Sequence, residues 1–508
     1  MNHPHPGADS APPGRQHDSR LRDIAVFCGY VALTFLLYGS ALGLGFLGDD
    51  WYFVWKVSTR SPLEIVAPAF DPSLYHYVPL GEMLLWLELA LFGLGGAWWH
   101  AVNLVLHAAN AWLVFKLATR LGLGSAAGLS AGAAFVVLFQ SYESILWVSG
   151  IFYILATTFF TFGLAAYASF LRGGKARWYA AYLGGFAGAI LTIEGGATLP
   201  AVAGLMEVMG FTGGPASLRG RVVSAFRHQI PALVLFVAYW MVRSAVARSS
   251  MQDVPAIKVA GTFVYSLFGV AALNLPPLYE LLFSWKKAGM VFAAVALGWT
   301  LARGDRLIRF AVLGYLLAWC PYYFFSGFNT RYFYLPGVFA AILGAAGLCR
   351  GFGSPSLPAP LLALAAVLAT AVVAGPYRAA RIREWQEAAE ITRSALAAVQ
   401  GGQPTASASS PRYIVAVDVP DSLGTQWGPA FPAYVFRNGL PEAIALSTRP
   451  SAGLPRIDYV ASGRPTRHVV KDSAASDAKA DDAARLVFEA DDPRQVSFRV
   501  RRGQFQGP

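Results

Sequence analysis

The stretch IAVFCGYVALTFLLYGSALGLGF, residues 24–46, is long and apolar enough to cross about 30 Å of hydrocarbon, and it runs directly into Leu47-Gly48-Asp49-Asp50-Trp51-Tyr52. Arg15, Arg20 and Arg22 precede it, and no small-residue cleavage site follows. It therefore reads as a retained membrane helix with its N-terminus in the cytoplasm and an acidic pair at the outer surface. One such block could be a signal anchor. Further apolar blocks at residues 98–117, 145–171 and 357–374 predict a chain that crosses the bilayer many times.

Composition points the same way. Of 508 residues, 55% are hydrophobic and 14% charged, against about a quarter charged in an ordinary soluble domain. The net charge of +11 would suit a nucleic-acid binder, but the charges sit between apolar blocks, so the bilayer and not nucleic acid is the expected partner. Basic loops at Lys116/Arg120, Arg172/Lys175/Arg177, Arg219/Arg221/Arg227, Arg303/Arg306/Arg309 and Arg350 alternate with loops carrying Asp49, Asp50, Glu143, Glu194 and Arg331. That alternation predicts about eleven spans, with the C-terminus outside.

The expected fold is thus an all-α polytopic membrane protein with a small C-terminal soluble α/β or β-rich domain. Its predicted parts are a cytoplasmic tail (1–23), a membrane domain (24–376), a helix and linker (377–411) and an extracytoplasmic domain (412–508). Residues 79–94, interrupted by Glu82 and Glu88, read as an interfacial helix, and residues 262–284, broken by Asn274, Pro276 and Pro277, as interfacial or re-entrant. Short strands are expected near Tyr413–Val419, Ala433–Phe436 and Leu486–Phe488, with a polar stretch at 471–482 of the kind that stays disordered. Arg378, Arg381 and Arg383 count against an outside C-terminus. Cys28, Cys320 and Cys349 have no metal-ligand spacing, so neither a disulfide nor a thiolate metal site is expected.

Several residues could carry chemistry. Adjacent Asp49 and Asp50 beside Trp51 and Tyr52 can hold a sugar, and an adjacent acidic pair repels itself, which raises one carboxyl toward the range of a useful proton acceptor. An acidic pair that only solvates a helix end looks the same. His100, Asn103, His107 and Asn110 share one helix face, which must meet protein or water inside a membrane. The two histidines, roughly 10 Å apart along the axis, cannot share one metal ion. Helix–helix hydrogen bonding is the expected role of His107 and Asn110. Glu143 and Glu194 each stand at an outer span end, where, level with Asp49, they either line one outward cavity with it or are simply solvated at the interface. Arg331, in Phe-Asn-Thr-Arg331-Tyr332-Phe333-Tyr334-Leu335-Pro336, offers a fork for phosphate beside aromatic residues, or belongs to an interfacial Tyr/Arg belt. Arg243, Lys286 and Lys287 either add positive charge nearby or snorkel.

In order and content these pieces resemble the GT-C superfamily of membrane glycosyltransferases, most closely the membrane region of the transmembrane-and-tetratricopeptide-repeat O-mannosyltransferases. The acidic pair follows the first span. Tyr77-Val78-Pro79-Leu80 is similar to that family's Tyr-Arg-Pro-Leu, the His100 to Asn110 face to its His-x-x-Asn-x-x-x-His helix, and Gln140 to Trp147 to its His-Pro-x-x-Glu-x-x-x-Trp loop. Ile193-Glu194 resembles its Lys-Glu pair, and Arg331 to Pro336 its Arg-Tyr-Leu-Tyr-Leu-Pro. The chain departs from the pattern at Val78, Gln140-Ser141 and Ile193, and no tetratricopeptide repeat follows. The resemblance spans about residues 24–385.

The resemblance implies an inverting transfer from a polyprenyl-phosphate-linked sugar to an acceptor hydroxyl on a protein, lipid or polysaccharide. It makes Asp49 or Asp50 the base and Arg331 the cation at the lipid phosphate, joined by Tyr332, Arg243 and Lys286. Trp51, Tyr77, His100, Asn103, Glu143 and Glu194 would line the cavity. No cofactor is indicated with certainty; a divalent metal at Asp49/Asp50 is left open. The expected location is a bacterial inner membrane with the site facing outward. A transporter or flippase of a lipid or glycan is the rival class, although no internal repeat is visible. A catalytically inactive scaffold is the third.

Overall fold

The computed structural model describes residues 13–70, 76–211, 217–247, 255–271, 286–324, 329–351 and 358–401 and, further along, 413–417, 419–423, 433–448, 454, 456–460, 468–470, 484–492 and 495–502. Helix α1 (Pro13–Tyr38) ends in a 3-10 turn, after which α2 (Asp50–Ser58), α3 (Pro62–Val66) and α4 (Pro79–Phe92) pack together. Next come α5 (Gly96–Arg120), α6 (Ser125–Val137), α7 (Tyr142–Leu146), α8 (Ile151–Gly173), α9 (Ala176–Ile190), α10 (Leu199–Val208) and α11 (Leu218–Val246). They are followed by α12 (Ala256–Ala271), α13 (Lys286–Arg303), α14 (Arg306–Trp319), α15 (Gly337–Gly351) and α16 (Pro358–Gly401).

Among the described residues, Arg20–Gly43, Gly96–Arg120, Val148–Gly173 and Leu218–Val246 are helices long and apolar enough to cross a membrane. The pair Ser125–Val137 and Phe139–Leu146, bent by 52°, adds a fifth if it is one span. The chain is a helical membrane protein. Among the described residues some apolar helices, such as Ala288–Arg303 and Gly337–Arg350, are shorter than a full span, and others are interrupted by 3-10 turns. The expected break at 262–284 lies partly in α12; its residues 272–284 are outside the described residues, as is the polar stretch 471–482.

Each break in a buried helix must find new partners for the backbone groups it frees. At the bend between α6 and α7, the carbonyl of Val137 accepts a hydrogen bond from Arg378 Nη2 at 3.0 Å. Arg378 and Arg381 are both buried, and the Arg378 guanidinium lies 5.2 Å from the Tyr38 ring centre. Two members of the basic cluster read from the sequence as a sidedness signal are therefore internal, Arg378 on backbone and aromatic partners and Arg381 paired with Glu384, while Arg383 is exposed. Its helix, α16, continues through Pro376, so the expected division at residue 376 falls inside one element.

In helix α4, Glu82 forms a buried ion pair with Lys56 of α2. Helices α8 and α9 cross closely, so that a Cβ on Gly185 would lie 2.7 Å from Gly163 Cα and 2.9 Å from the Phe159 carbonyl oxygen. Small residues at that crossing let the backbones touch, which is how helices gain packing energy where lipid supplies no hydrophobic drive.

The C-terminal part holds strands β1 (Tyr413–Val417), β2 (Pro420–Leu423) and β3 (Ala433–Tyr434), helix α17 (Leu440–Thr448), and β4 (Arg456–Val460), β5 (His468–Val470), β6 (Ala484–Asp492) and β7 (Gln495–Arg502). One sheet has the order β4-β1-β6-β7, with β1 parallel to β4 and β6, and β7 antiparallel to β6. The other, β3-β2-β5, is antiparallel. Strand β7 packs on α16 and α17 packs on α2, so this part leans on the helical body.

Substituting Gly185 by Val should force α8 and α9 apart and lower the thermal midpoint of the detergent-solubilised protein, by an overpacking cost of about 1–3 kcal/mol. Val at Gly184, where an added Cβ meets nothing within 4 Å, is the control and should leave the midpoint within error.

Candidate functional site

The loop after the first span turns back on itself at Leu47–Asp50, and the two acidic side chains part company there. Asp50 opens α2 and is buried. Its Oδ2 accepts from the Leu47 amide at 2.9 Å, and its Oδ1 accepts from the Ser149 amide at 2.7 Å and the Ser149 hydroxyl at 2.5 Å. Burial pushes the Asp50 carboxyl up to about 7 against these three bonds, and repulsion from Asp49 is the weakest contribution. The raised carboxyl expected from the pair is present, but its cause is burial. Asp49 faces the other way, into a cavity of about 180 Å3.

That cavity is lined by Asp49 and Phe53 from the first loop and α2, His76 and Val78 from the α4 approach, Trp147, Ser149, Phe152 and Tyr153 at the start of α8, Ile193 and Glu194 after α9, and Tyr322, Arg331 and Tyr332. Charge thus enters an aromatic-walled space from three well-separated parts of the chain.

Arg331 is buried at the cavity wall and gripped by Glu143 of α7. Glu143 Oε1 lies 2.6 Å from Arg331 Nη1, while its Oε2 accepts from the Arg331 amide at 2.9 Å and the Thr330 hydroxyl at 2.5 Å. The Tyr434 hydroxyl from β3 completes the knot, donating to Glu143 Oε1 at 3.0 Å and accepting from Arg331 Nη1 at 2.9 Å. Arg331 Nε donates to the Tyr153 hydroxyl at 3.2 Å, and its guanidinium sits 5.1 Å from the Trp147 ring centre. A planar cation with this many fixed partners is oriented before any ligand arrives.

Across the cavity, His76 Nδ1 is 3.0 Å from both oxygens of Glu194, and Arg243 Nε is 3.3 Å from Glu194 Oε1. Partial desolvation opposes charge on the imidazole, whose side chain is still 47% exposed, but Glu194 outweighs it and raises the His76 pKa. For Glu194, burial is likewise overcome by His76 and Arg243, and its carboxyl is held below the ordinary range. His76 was not singled out from the sequence. A histidine just before Tyr77-Val78-Pro79 carried no periodic signal, and only the fold brings it to Glu194.

Of the residues nominated from sequence, Asp49, Glu194, Arg331 and Tyr332 line this cavity. The others stand around it. Glu143 and Arg243 hold the charged wall residues from behind. Trp51 is buried outside the lining. Tyr77 donates its hydroxyl to the Val66 carbonyl at 2.7 Å and tilts against Tyr239. His100 Nε2 is 2.9 Å from the Gly45 carbonyl oxygen, and Asn103 donates to the Trp147 carbonyl at 3.0 Å. Further down the same helix face, His107 Nδ1 lies 2.7 Å from the Tyr334 hydroxyl and Asn110 donates to the Ile154 carbonyl at 2.9 Å. The polar stripe thus fastens the loops that build the site, not its surface. Lys286 begins α13, and its side chain lies outside the described residues.

A divalent ion shared by Asp49 and Asp50 does not fit, because Asp50 spends both oxygens on protein donors. Among the described residues no three His, Cys, Asp or Glu side chains converge on a common point.

No family model matches the chain, and no curated protein matches it. Among solved structures it is similar to ArnT from Cupriavidus metallidurans bound to undecaprenyl phosphate, with 15% identity over 73% of this chain and 71% of that one and a TM-score of 0.41. It is also similar to the Archaeoglobus fulgidus oligosaccharyltransferase in complex with Zn and sulfate, with 13% identity, 86% and 62% coverage and a TM-score of 0.44. A third likeness is to the oligosaccharyltransferase AglB from Archaeoglobus fulgidus with an inhibitory peptide and a dolichol-phosphate, with 11% identity, 84% and 64% coverage and a TM-score of 0.42.

The raised His76 and lowered Glu194 values set a stability window. The pair contributes fully below the ordinary imidazole value of 6.5 and above the ordinary carboxyl value of 4.5. Its contribution is lost as pH rises through the raised His76 value or falls through the lowered Glu194 value. The thermal midpoint of the purified protein should therefore decline on the alkaline side, and the His76→Gln variant should show a flatter decline. Identical pH dependence in the two proteins would contradict the pairing.

Proposed function

We propose that the chain is a membrane glycosyltransferase of GT-C type that moves a sugar from a polyprenyl-phosphate donor to an acceptor hydroxyl on the outer side of the membrane. The observation that carries the reading is the meeting of Asp49 and Arg331, from opposite ends of the helical body, in one aromatic-walled cavity. The ordered motifs that resemble the O-mannosyltransferases support it, since the acidic pair, Tyr77 to Leu80, Gln140 to Trp147, Ile193-Glu194 and Arg331 to Pro336 each supply at least one residue to the lining of this cavity.

Asp49 is the proton acceptor. As the acceptor oxygen attacks the anomeric carbon from one face, its proton passes to the Asp49 carboxylate, and the bond from that carbon to the phosphate oxygen breaks on the other face, with inversion. Negative charge grows on the departing polyprenyl phosphate, and the Arg331 guanidinium, already aimed by Glu143 and Tyr434, stabilises it without reorganising. Tyr332 and the other ring faces supply the surface against which a sugar stacks. Asp50 is assigned a structural role, because its oxygens already accept three protein hydrogen bonds. Arg243 acts through Glu194, holding the wall around His76. The polyprenyl tail is left in the bilayer, which is why such an enzyme is embedded.

The test separates the three charged residues. Asp49→Asn should lower turnover by roughly 10²-fold or more with little change in donor binding. Asp50→Asn, which offers an amide where the Leu47 amide needs an acceptor, should instead lower stability by about 1–3 kcal/mol. Arg331→Ala should weaken both undecaprenyl-phosphate binding and turnover, and Arg331→Lys should recover only part, since it lacks the planar fork. Transfer from a panel of radiolabelled undecaprenyl-phosphate sugars, at matched protein levels in membranes, reads the outcome. Full turnover in Asp49→Asn would sink the base assignment, and unchanged lipid-phosphate affinity in Arg331→Ala would sink the clamp.

A further inference from the structure

The segment Tyr434–Gly439, between β3 and α17, is locked into the first loop of the membrane domain. The Gly48 amide donates to the Val435 carbonyl at 2.9 Å. Gly48 has φ +56°, and a Cβ there would lie 2.8 Å from Tyr434 Cβ. A Cβ on Gly439 would run into the Gly48 carbonyl oxygen and lie 2.9 Å from Trp51 Cβ. Two glycines thus allow backbones from opposite ends of the sequence to touch. Between them Arg437 has φ +28°, the one non-glycine residue with positive φ among those described. The Asp421 carbonyl holds this turn by accepting from the Val435 amide at 3.1 Å and the Arg437 amide at 3.2 Å. A side-chain-bearing residue kept in that region marks strain that the surroundings maintain.

The turn delivers two side chains to Asp49. Asn438 Nδ2 donates to Asp49 Oδ1 at 3.0 Å, and Arg437 Nε stands 3.9 Å from the same oxygen. We infer that Asn438 is the positioning residue for Asp49, and that the C-terminal segment 434–439 backs the wall of the site from behind the cavity lining. This rests on Asp49 being the proton acceptor. An amide donor fixed on one carboxylate oxygen sets the plane in which the other oxygen meets the acceptor hydroxyl, and it does so without neutralising the charge that must take the proton. The same segment serves the other end of the cavity through Tyr434, which ties Glu143 to Arg331. One short turn therefore indexes both the base and the cation, and a misplacement of about 1 Å in such groups can cost on the order of 10²-fold in rate.

The test uses the full-length protein in nanodiscs, with undecaprenyl phosphate as the binding probe and the undecaprenyl-phosphate sugar that supports transfer as the substrate. Asn438→Ala should lower kcat at least tenfold while the affinity for undecaprenyl phosphate stays within twofold. Asn438→Asp preserves the shape but sets a second carboxylate against Asp49, so it should fall below the Ala variant. A residue that merely fills space would give the reverse order, with the isosteric Asp variant nearer wild type. Tyr434→Phe should act on the other arm, weakening undecaprenyl-phosphate binding through Arg331. Wild-type kcat in Asn438→Ala, alongside an inactive Asp49→Asn, would overturn the inference and leave the base assignment standing. So would a lowered melting midpoint and lost lipid-phosphate binding in Asn438→Ala. Full activity in Asp49→Asn would remove the base assignment itself, and the positioning role with it.

Discussion

The buried pair of Glu143 and Arg331 is the constraint on which the site depends. Inside a low-dielectric body a lone carboxylate or guanidinium is costly, and a pair is tolerated only when its remaining hydrogen-bonding capacity is met. Here the requirement gathers distant parts of the chain. Thr330 and the Arg331 amide close one face of the carboxylate, Tyr434 bridges carboxylate and cation, and Tyr153 and Trp147 bracket the guanidinium. The bend between α6 and α7 that places Glu143 is itself secured by Arg378 on the Val137 carbonyl. Removing any one partner leaves another polar group unmet, so the network is satisfied as a whole or not at all.

The helical membrane character was legible in the sequence because apolar length is a direct readout of bilayer thickness. The polar helix face from His100 to Asn110 was legible too, since a period of three to four residues is local information. What each of those groups touches was not. His100 and Asn103 reach carbonyls of Gly45 and Trp147, which only the folded loops bring near. The split between Asp49 and Asp50 was equally hidden, for adjacent residues differ in role here only through the direction each faces at the start of α2. Pro376 read as a boundary, yet α16 runs through it.

The C-terminal part was the least legible. Its strands were marked by composition, and Tyr413–Val417 and Ala433–Tyr434 fall where short apolar runs suggested them. Nothing local in Tyr434-Val435-Phe436-Arg437-Asn438-Gly439 indicates that it meets the first loop, because the contact depends on glycines at both ends of the chain, Gly48 and Gly439. A part expected only as a small C-terminal domain contributes hydroxyl, amide and guanidinium groups beside Asp49 and Arg331 of the cavity. That dependence makes Asp49, Arg331 and the C-terminal segment one unit.

The central claim is that this cavity receives a lipid-linked phosphate, with Arg331 at the phosphate and Asp49 at the reacting carbon. An electron cryo-microscopy structure of the full chain in nanodiscs with undecaprenyl phosphate tests it most directly. The account predicts density for the phosphate within hydrogen-bond distance of the Arg331 guanidinium, with the polyprenyl tail leaving the cavity into the bilayer and Asp49 facing the space where the sugar would stand. Phosphate density bound elsewhere on the protein, with the Asp49–Arg331 cavity filled only by water, would contradict it.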